Sequence, residues 1–195
     1  MNNATRLQYL KTMGIDVWIP RFAPPVLSDL PETKIEEVMP ESMVDIEQQW
    51  KDLRTEVSQC TLCGLCQTRT QTVFGTGNPN ADWLIIGEAP GQQEDEQGEP
   101  FVGIAGQLLT EMLRAIGLSR DEVFIANILK CRPPNNRDPH VDEIQHCQAY
   151  LHRQLALIQP KIILAVGRIA AHTLLNTNTS LGKLRGQVHD YQGIP

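Results

Sequence analysis

Apolar positions along residues 83–175 fall into two rhythms. Trp83-Leu84-Ile85-Ile86, Val123-Phe124-Ile125-Ala126 and the stretch Lys161–Val166 are short apolar runs, the first closed by Gly87. Such runs predict strands buried on both faces of a parallel sheet. Between and after them the spacing changes to that of helices. Leu108, Leu109, Met112, Leu113 and Ile116 predict a helix over Gly106–Ile116, with Gly117 as its stop. Apolar or small residues at 141, 144, 147, 151, 155 and 158 predict a long helix over His140–Ile158, and Arg168–Leu175 predicts another. Strand–helix alternation gives an α/β class, a three-layer α/β/α sandwich with a central, mostly parallel sheet. Ligands in such sheets lie beyond the carboxyl ends of the strands, which is where Gly87–Gly91 and Asn127–Arg137 fall.

Upstream the pattern weakens. Leu7, Leu10 and Met13 predict a short amphipathic helix over 4–13 before Gly14. Prolines at 20, 24, 25, 31 and 40 then mark a linker without a core. A helix over Asp45–Val57 leads into the first cysteines. The expected organisation is a docking peptide at 1–18, a linker at 19–44 and an α/β domain at 45–195. With 41% hydrophobic residues, no apolar run long enough to span a membrane and no signal-peptide core at the start, a cytoplasmic monomer is expected. The net charge of −6 is no nucleic-acid footprint by itself, although one local basic face would serve.

Five cysteines in a chain expected to be cytosolic point to metal or catalysis rather than disulfides. Cys60 and Cys63 form a C-x2-C pair, and Cys131 and Cys147 lie far downstream. Four such thiolates can close a site for zinc or for an iron–sulfur cluster, and spacing alone does not choose between them. The plainer alternative is that Cys131 and Cys147 are buried core residues. Cys66 leaves the register open, because 60/63, 63/66 and 60/66 are all sterically sound pairs. The five histidines show no metal-like spacing.

Taken in order, the motifs are Cys60-x-x-Cys63, Arg69-Thr-Gln-Thr-Val-Phe-Gly75-Thr-Gly77-Asn-Pro, Gly87-Glu88-Ala89-Pro90-Gly91, Pro100-Phe101-Val102-Gly103-x-Ala105-Gly106, Asn127-Ile-Leu-Lys130-Cys131-Arg132-Pro133-Pro134-x-Asn136-Arg137 and Arg185-Gly186. From about residue 58 to 195 this series resembles the family 4 uracil-DNA glycosylases, repair enzymes carrying a [4Fe–4S] cluster. The resemblance implies that Cys60, Cys63, Cys131 and Cys147 hold the cluster and that Cys66 does not. It places Glu88, Ala89, Pro90 and Gly91 beside a flipped uracil, Phe101 against the base as a stacking ring, and Asn127 on the base edge. Glu94 corresponds to a second acid of the same loop.

The residue types suit that chemistry. Extruding a base costs a few kcal/mol, of which an aromatic face such as Phe101 returns about 1–3 kcal/mol by stacking. Uracil offers a carbonyl acceptor and an imide N–H, and the Asn127 amide offers the complementary pair. Cleaving the N-glycosidic bond leaves a cationic sugar and an anionic base, so a carboxylate is expected from Glu88 or Glu94. The backbone amides of Glu88–Gly91 are candidate donors to the uracil oxygen. Lys130, Arg132 and Arg137 form a local basic cluster expected to meet the phosphates of uracil-containing DNA.

Two departures bear on function. The family continues past the point matching Gly193-Ile194-Pro195 into another strand, a His-Pro-x-x-Leu-Leu-Arg motif and a helix. The chain is therefore expected to be incomplete at its carboxyl end, with a fourth strand beginning at Gln187–Tyr191. At the other end, Leu7, Leu10, Met13-Gly14-Ile15 and Trp18 resemble the start of the psi subunit of bacterial DNA polymerase III, which implies a chi-like replisome partner gripping residues 5–21. The alternative to an enzyme is thus an inactive, glycosylase-fold adaptor.

Overall fold

The computed structural model describes residues 41–195. The expected docking peptide, the psi-like segment and residues 19–40 of the expected linker lie outside the described residues, and residues 41–44 are described in their backbone alone.

The described chain begins in α1 (Glu41–Ser58), which runs four residues further upstream than the predicted helix. A 3-10 turn at Gly64–Gln67 follows the first two cysteines. Then come β1 (Thr76–Gly77), β2 (Trp83–Gly87), α2 (Gln92–Gln97), α3 (Ile104–Ala115), β3 (Phe124–Asn127), α4 (Val141–Ile158), β4 (Ile162–Ala165), α5 (Arg168–Leu175) and α6 (Leu181–Leu184). The sheet order is β1-β3-β2-β4. β2 pairs parallel with both β3 and β4, and the two-residue β1 runs antiparallel to β3. No strand forms at Gln187–Tyr191, which corrects the expected fourth strand; that stretch holds only an isolated bridge from Tyr191 to Ile194.

Alternation along the strands explains why the apolar runs are unbroken. Leu84, Ile86, Phe124 and Ala126 pack with Leu53 and Val57 of α1, Leu151, Leu155 and Ile158 of α4, and Ala170 and Leu174 of α5. Ile85, Val123 and Ile125 point the other way, against Leu109 and Leu113 of α3. The three layers follow from these two opposed faces. In α3 only Leu109 and Leu113 go into the core, whereas Leu108, Met112 and Ile116 stay exposed. A lone helix layer over one edge of a small sheet has only one inward stripe to bury.

α4 starts where the Glu143 carboxylate reaches back to the His140 N–H at 2.8 Å, just after Pro139. It ends at Gln159, which is left-handed with φ 50° and is followed by Pro160. Its buried stripe contains Cys147, Tyr150, Leu151, Gln154, Leu155 and Ile158. This single face therefore carries both core and candidate ligand.

The connections define a site. β2 leads to α3 on one face, and the adjacent β3 leads to α4 on the other, so a crevice opens between the carboxyl ends of β2 and β3. Gly87 and Asn127 are paired there across the sheet.

Core and surface contributions should separate cleanly. Leu151→Ala, at a fully buried position between α4 and the sheet, should lower stability by about 2–5 kcal/mol in urea unfolding. Glu56→Gln, which breaks the half-exposed ion pair from α1 to Arg153 of α4, should leave the unfolding midpoint nearly unchanged. Equal costs would contradict this packing.

Candidate active site

Gly87 ends β2 against two side chains from elsewhere in the chain. A Cβ on Gly87 would stand 2.4 Å from the Asn127 Oδ1 and 2.6 Å from Cζ of Phe101. The amide, the ring edge and the bare Cα thus meet at the mouth of the β2–β3 crevice.

Asn127 is 2% exposed, yet its side-chain amide has no hydrogen-bond partner among the described residues. No sealed side-chain nitrogen or oxygen is left unpaired there. The amide therefore opens on the cleft with its donor and its acceptor both free, an arrangement costly to keep buried unless a ligand completes it. Its main chain is tightly held. The 127–128 peptide gives its N–H to the Gly87 carbonyl at 2.9 Å, and Leu129 N–H donates to the Glu88 carbonyl at 3.0 Å.

Phe101 adopts φ 55°, a left-handed conformation that costs a non-glycine residue on the order of 1–2 kcal/mol. Neighbours overdetermine it. Arg120 donates from Nη1 to the Phe101 carbonyl (3.2 Å) and from Nη2 to the Pro100 carbonyl (2.8 Å). The Glu94 Oε1 accepts the N–H groups of Val102 and Gly103, each at 2.9 Å. Gly106 in the first turn of α3 lets the Phe101 carbonyl approach so closely that a Cβ would stand 1.7 Å from it. Strain held by this many contacts is a mark of a functional position.

Glu94 itself is corrected by this geometry. Its Oε2 accepts the Gly91 N–H at 3.1 Å, so both oxygens are committed to backbone donors and the carboxylate ties the Gly87–Gly91 loop to the Phe101 loop. It is a clasp rather than a free second acid. Glu88 differs: it is half-buried, and its carboxyl makes no hydrogen bond among the described residues. Burial, seconded by Asp138 and opposed by Arg168, pushes its carboxyl above the usual carboxylate range. Ala89 and Gly91 are half-buried beside it, and Pro90 is buried.

Lys130 is the second correction. It is 1% exposed and cannot reach a phosphate. Its Nζ donates to the Asn127 carbonyl at 2.9 Å and to the Gln154 Oε1 at 2.6 Å, and burial brings its ammonium down to about 8. Arg132 and Arg137 remain at the surface, bonded to Asn136 and Glu143 respectively. Arg168, paired with Asp138 at 2.6 Å, adds a surface cation near Glu88 that the sequence reading missed. Its only signal was its place immediately after β4, at the carboxyl edge of the sheet. Arg120 gave no signal at all.

On the far side of the 127–131 segment, Cys60, Cys63, Cys66, Cys131 and Cys147 line one pocket with Val57, Leu65 and Tyr150. Cys147 accepts the Lys130 N–H at 3.2 Å, and Cys131 accepts from the Arg69 Nη1 at 3.1 Å. Burial raises the thiols of Cys63 and Cys131 and pushes Cys147 up to about 11. Thiols so raised need cationic help to become ligands, and two N–H donors to sulfur already stand in place. Among the described residues no three Cys, His, Asp or Glu side chains converge on a single-ion site. Thiols from two loops and a helix that line one pocket are a donor set that an iron–sulfur cluster accepts.

The Uracil DNA glycosylase superfamily model matches residues 74–194. The chain is 48% identical over 145 residues to a type-4 uracil-DNA glycosylase of Archaeoglobus fulgidus, covering 72% of this chain and 73% of the relative. It is 49% identical over 140 residues to the type-4 enzyme of Sulfurisphaera tokodaii, covering 69% and 64%. It is 44% identical over 138 residues to that of Thermotoga maritima, covering 70% and 72%. The chain therefore belongs to the uracil-DNA glycosylase superfamily and, within it, to the type-4 family. Among the described residues no helix is long and apolar enough to cross a membrane.

Gly87→Ala tests how firmly this cleft is held. The added methyl must displace the Asn127 amide or the Phe101 ring, so stability in urea should fall by about 1–3 kcal/mol. An unchanged midpoint would mean that ring and amide yield freely.

Proposed function

We propose that the chain hydrolyses the N-glycosidic bond of deoxyuridine in DNA, as a uracil-DNA glycosylase that starts base excision repair. The observation that carries the reading is the unpaired, nearly buried amide of Asn127 facing the cleft between Gly87 and Phe101. An asparagine presents one donor and one acceptor in a plane, which complements the imide N–H and neighbouring carbonyl of uracil. Cytosine would leave amide groups mispaired, at about 1–3 kcal/mol each. Phe101 supplies the stacking face for the extruded ring. Duplex or single-stranded DNA would deliver the base by extrusion, with Arg132, Arg137 and Arg168 near the mouth as candidate phosphate contacts.

In bond cleavage, electrons flow from the glycosidic bond into the uracil ring. The N–H groups of Glu88 and Ala89 are the candidate donors to the developing oxyanion, since Pro90 has none and Gly91 donates to Glu94, and Glu88 would stabilise the cationic sugar or take a proton from attacking water. Glu88 must be ionised for either task. Cys60, Cys63, Cys131 and Cys147 would hold a [4Fe–4S] cluster, with Arg69 donating to Cys131. When bound, that group supplies a covalent staple between the loop after α1, the segment after β3 and helix α4.

The decisive assay is uracil release from a labelled oligonucleotide. Asn127→Ala and Glu88→Gln should each lower kcat/KM by about 100-fold or more. Wild-type rates in Glu88→Gln would remove Glu88 from the mechanism, and absence of release from the intact chain would overturn the reading.

The pH profile carries a sign. A carboxyl raised by burial and by Asp138 loses its charge at a higher pH than a free carboxyl, so activity should fall on the acid side earlier than for an unperturbed carboxylate. Asp138→Asn removes the like charge and should move that acid limb to lower pH. A limb that stayed in place, or moved up, would contradict the Glu88 assignment.

A further inference from the structure

One buried cation has no part in the chemistry above. Lys130 lies wholly inside the domain, and its groups reach three separate parts of the chain: the end of β3, helix α4 and the stretch at Val73. Its Nζ donates to the Asn127 carbonyl (2.9 Å) and to the Gln154 Oε1 (2.6 Å). Gln154, also fully buried, passes the link on by donating from Nε2 to the Phe74 carbonyl at 2.9 Å. The Lys130 N–H donates to Cys147 Sγ, and its carbonyl accepts from Val73 N–H at 2.8 Å.

We infer that Lys130 is a positioning residue for Asn127, fixing the peptide that aims the uracil-reading amide. Asn127 is the last residue of β3, and past it the pairing with β2 is carried by the N–H groups of Ile128 and Leu129, to the Gly87 and Glu88 carbonyls. The 127–128 peptide is gripped on both edges, by the Gly87 carbonyl on its N–H and by Lys130 Nζ on its carbonyl. With both edges held, the Cα–Cβ bond of Asn127 has one direction, and the amide meets a base edge in one orientation. An aliphatic side chain could fill the same volume. It would leave the Asn127 carbonyl and the Gln154 Oε1 buried without a donor, and the peptide would turn to find one. Gln154 lies seven residues along the same face of α4 from Cys147, so the helix bearing a candidate cluster ligand also anchors the lysine that aims the amide.

The inference rests on reading Asn127 as the residue that recognises uracil, and the experiment separates the two claims. Free uracil is titrated as an inhibitor of the intact chain, and affinity for abasic-site DNA, which lacks the base, is measured alongside. Asn127→Ala should weaken uracil inhibition about tenfold or more. If it does not, the reading of Asn127 itself fails. Lys130→Met should weaken uracil inhibition by a similar factor of about ten, with affinity for abasic-site DNA changed by less than about twofold. Unchanged uracil inhibition in Lys130→Met, beside a loss in Asn127→Ala, overturns the inference alone. A parallel loss of both affinities also overturns it, since that would mark a merely structural lysine.

If Lys130→Met fails to fold, the wild-type chain still answers. Its Lys130 Nζ resonance, assigned by selective labelling, should shift when uracil saturates the site and not when thymine is added at the same concentration. No shift with uracil overturns the proposal.

Discussion

The segment from Asn127 to Cys131 is the constraint on which the rest depends. In four residues the chain passes from the end of a parallel strand, where an amide faces the cleft, to a thiol in the cysteine pocket. Main-chain bonds from Ile128 and Leu129 to Gly87 and Glu88 extend the pairing with β2 past its formal end. The loop that carries Glu88 and the segment that carries Asn127 therefore move as one piece. Shifting either by one residue would turn the amide away from Gly87 and the carboxylate away from the cleft at once.

Around that segment the domain commits unusual features in pairs. A strained Phe101 is matched by the Arg120 guanidinium on one side and the Glu94 carboxylate on the other. A buried Lys130 is matched by the Asn127 carbonyl and Gln154. Asp95, likewise buried, accepts the N–H groups of Thr70 and Gln71 and so fixes the stretch that follows Arg69. Each device costs energy alone and is offset only when its partner is in place, so the loops that carry them are held to one another. The Asn127 amide stands apart from these pairs: it is nearly buried and has no hydrogen-bond partner among the described residues.

Much of this was legible in the sequence where one physical cause dominates. Apolar runs at 83–86 and 123–126 matched strands buried on both faces, and their carboxyl ends pointed to where Gly87 and Asn127 meet. The order of motifs brought the family, the candidate ligands and Asn127 with it. Legibility failed where side chains act through tertiary contacts. Lysine is exposed by default, and nothing local told Lys130 from Arg132 two residues on; only a buried acceptor on α4, distant in sequence, made the difference. Glu94 lay beside Asp95 and Glu96 as part of an acidic run, and its capture by amides eight and nine residues away needed the loop to fold back. Arg120 and Arg168 gave no periodic signal because their partners are loop carbonyls and a carboxylate. β1, two residues long, is below what alternation can reveal.

The proposed cleft takes a lone uracil between the Phe101 ring and the Asn127 amide, next to four thiolates on one inorganic centre. The most direct test is a crystal structure of the iron-reconstituted chain grown with free uracil. The expected result is a [4Fe–4S] cube on Cys60, Cys63, Cys131 and Cys147, and a pyrimidine ring stacked on Phe101 with its N3 and adjacent carbonyl in hydrogen-bond contact with Asn127. Uracil seated elsewhere, or a metal held by a different set of sulfurs, would contradict it.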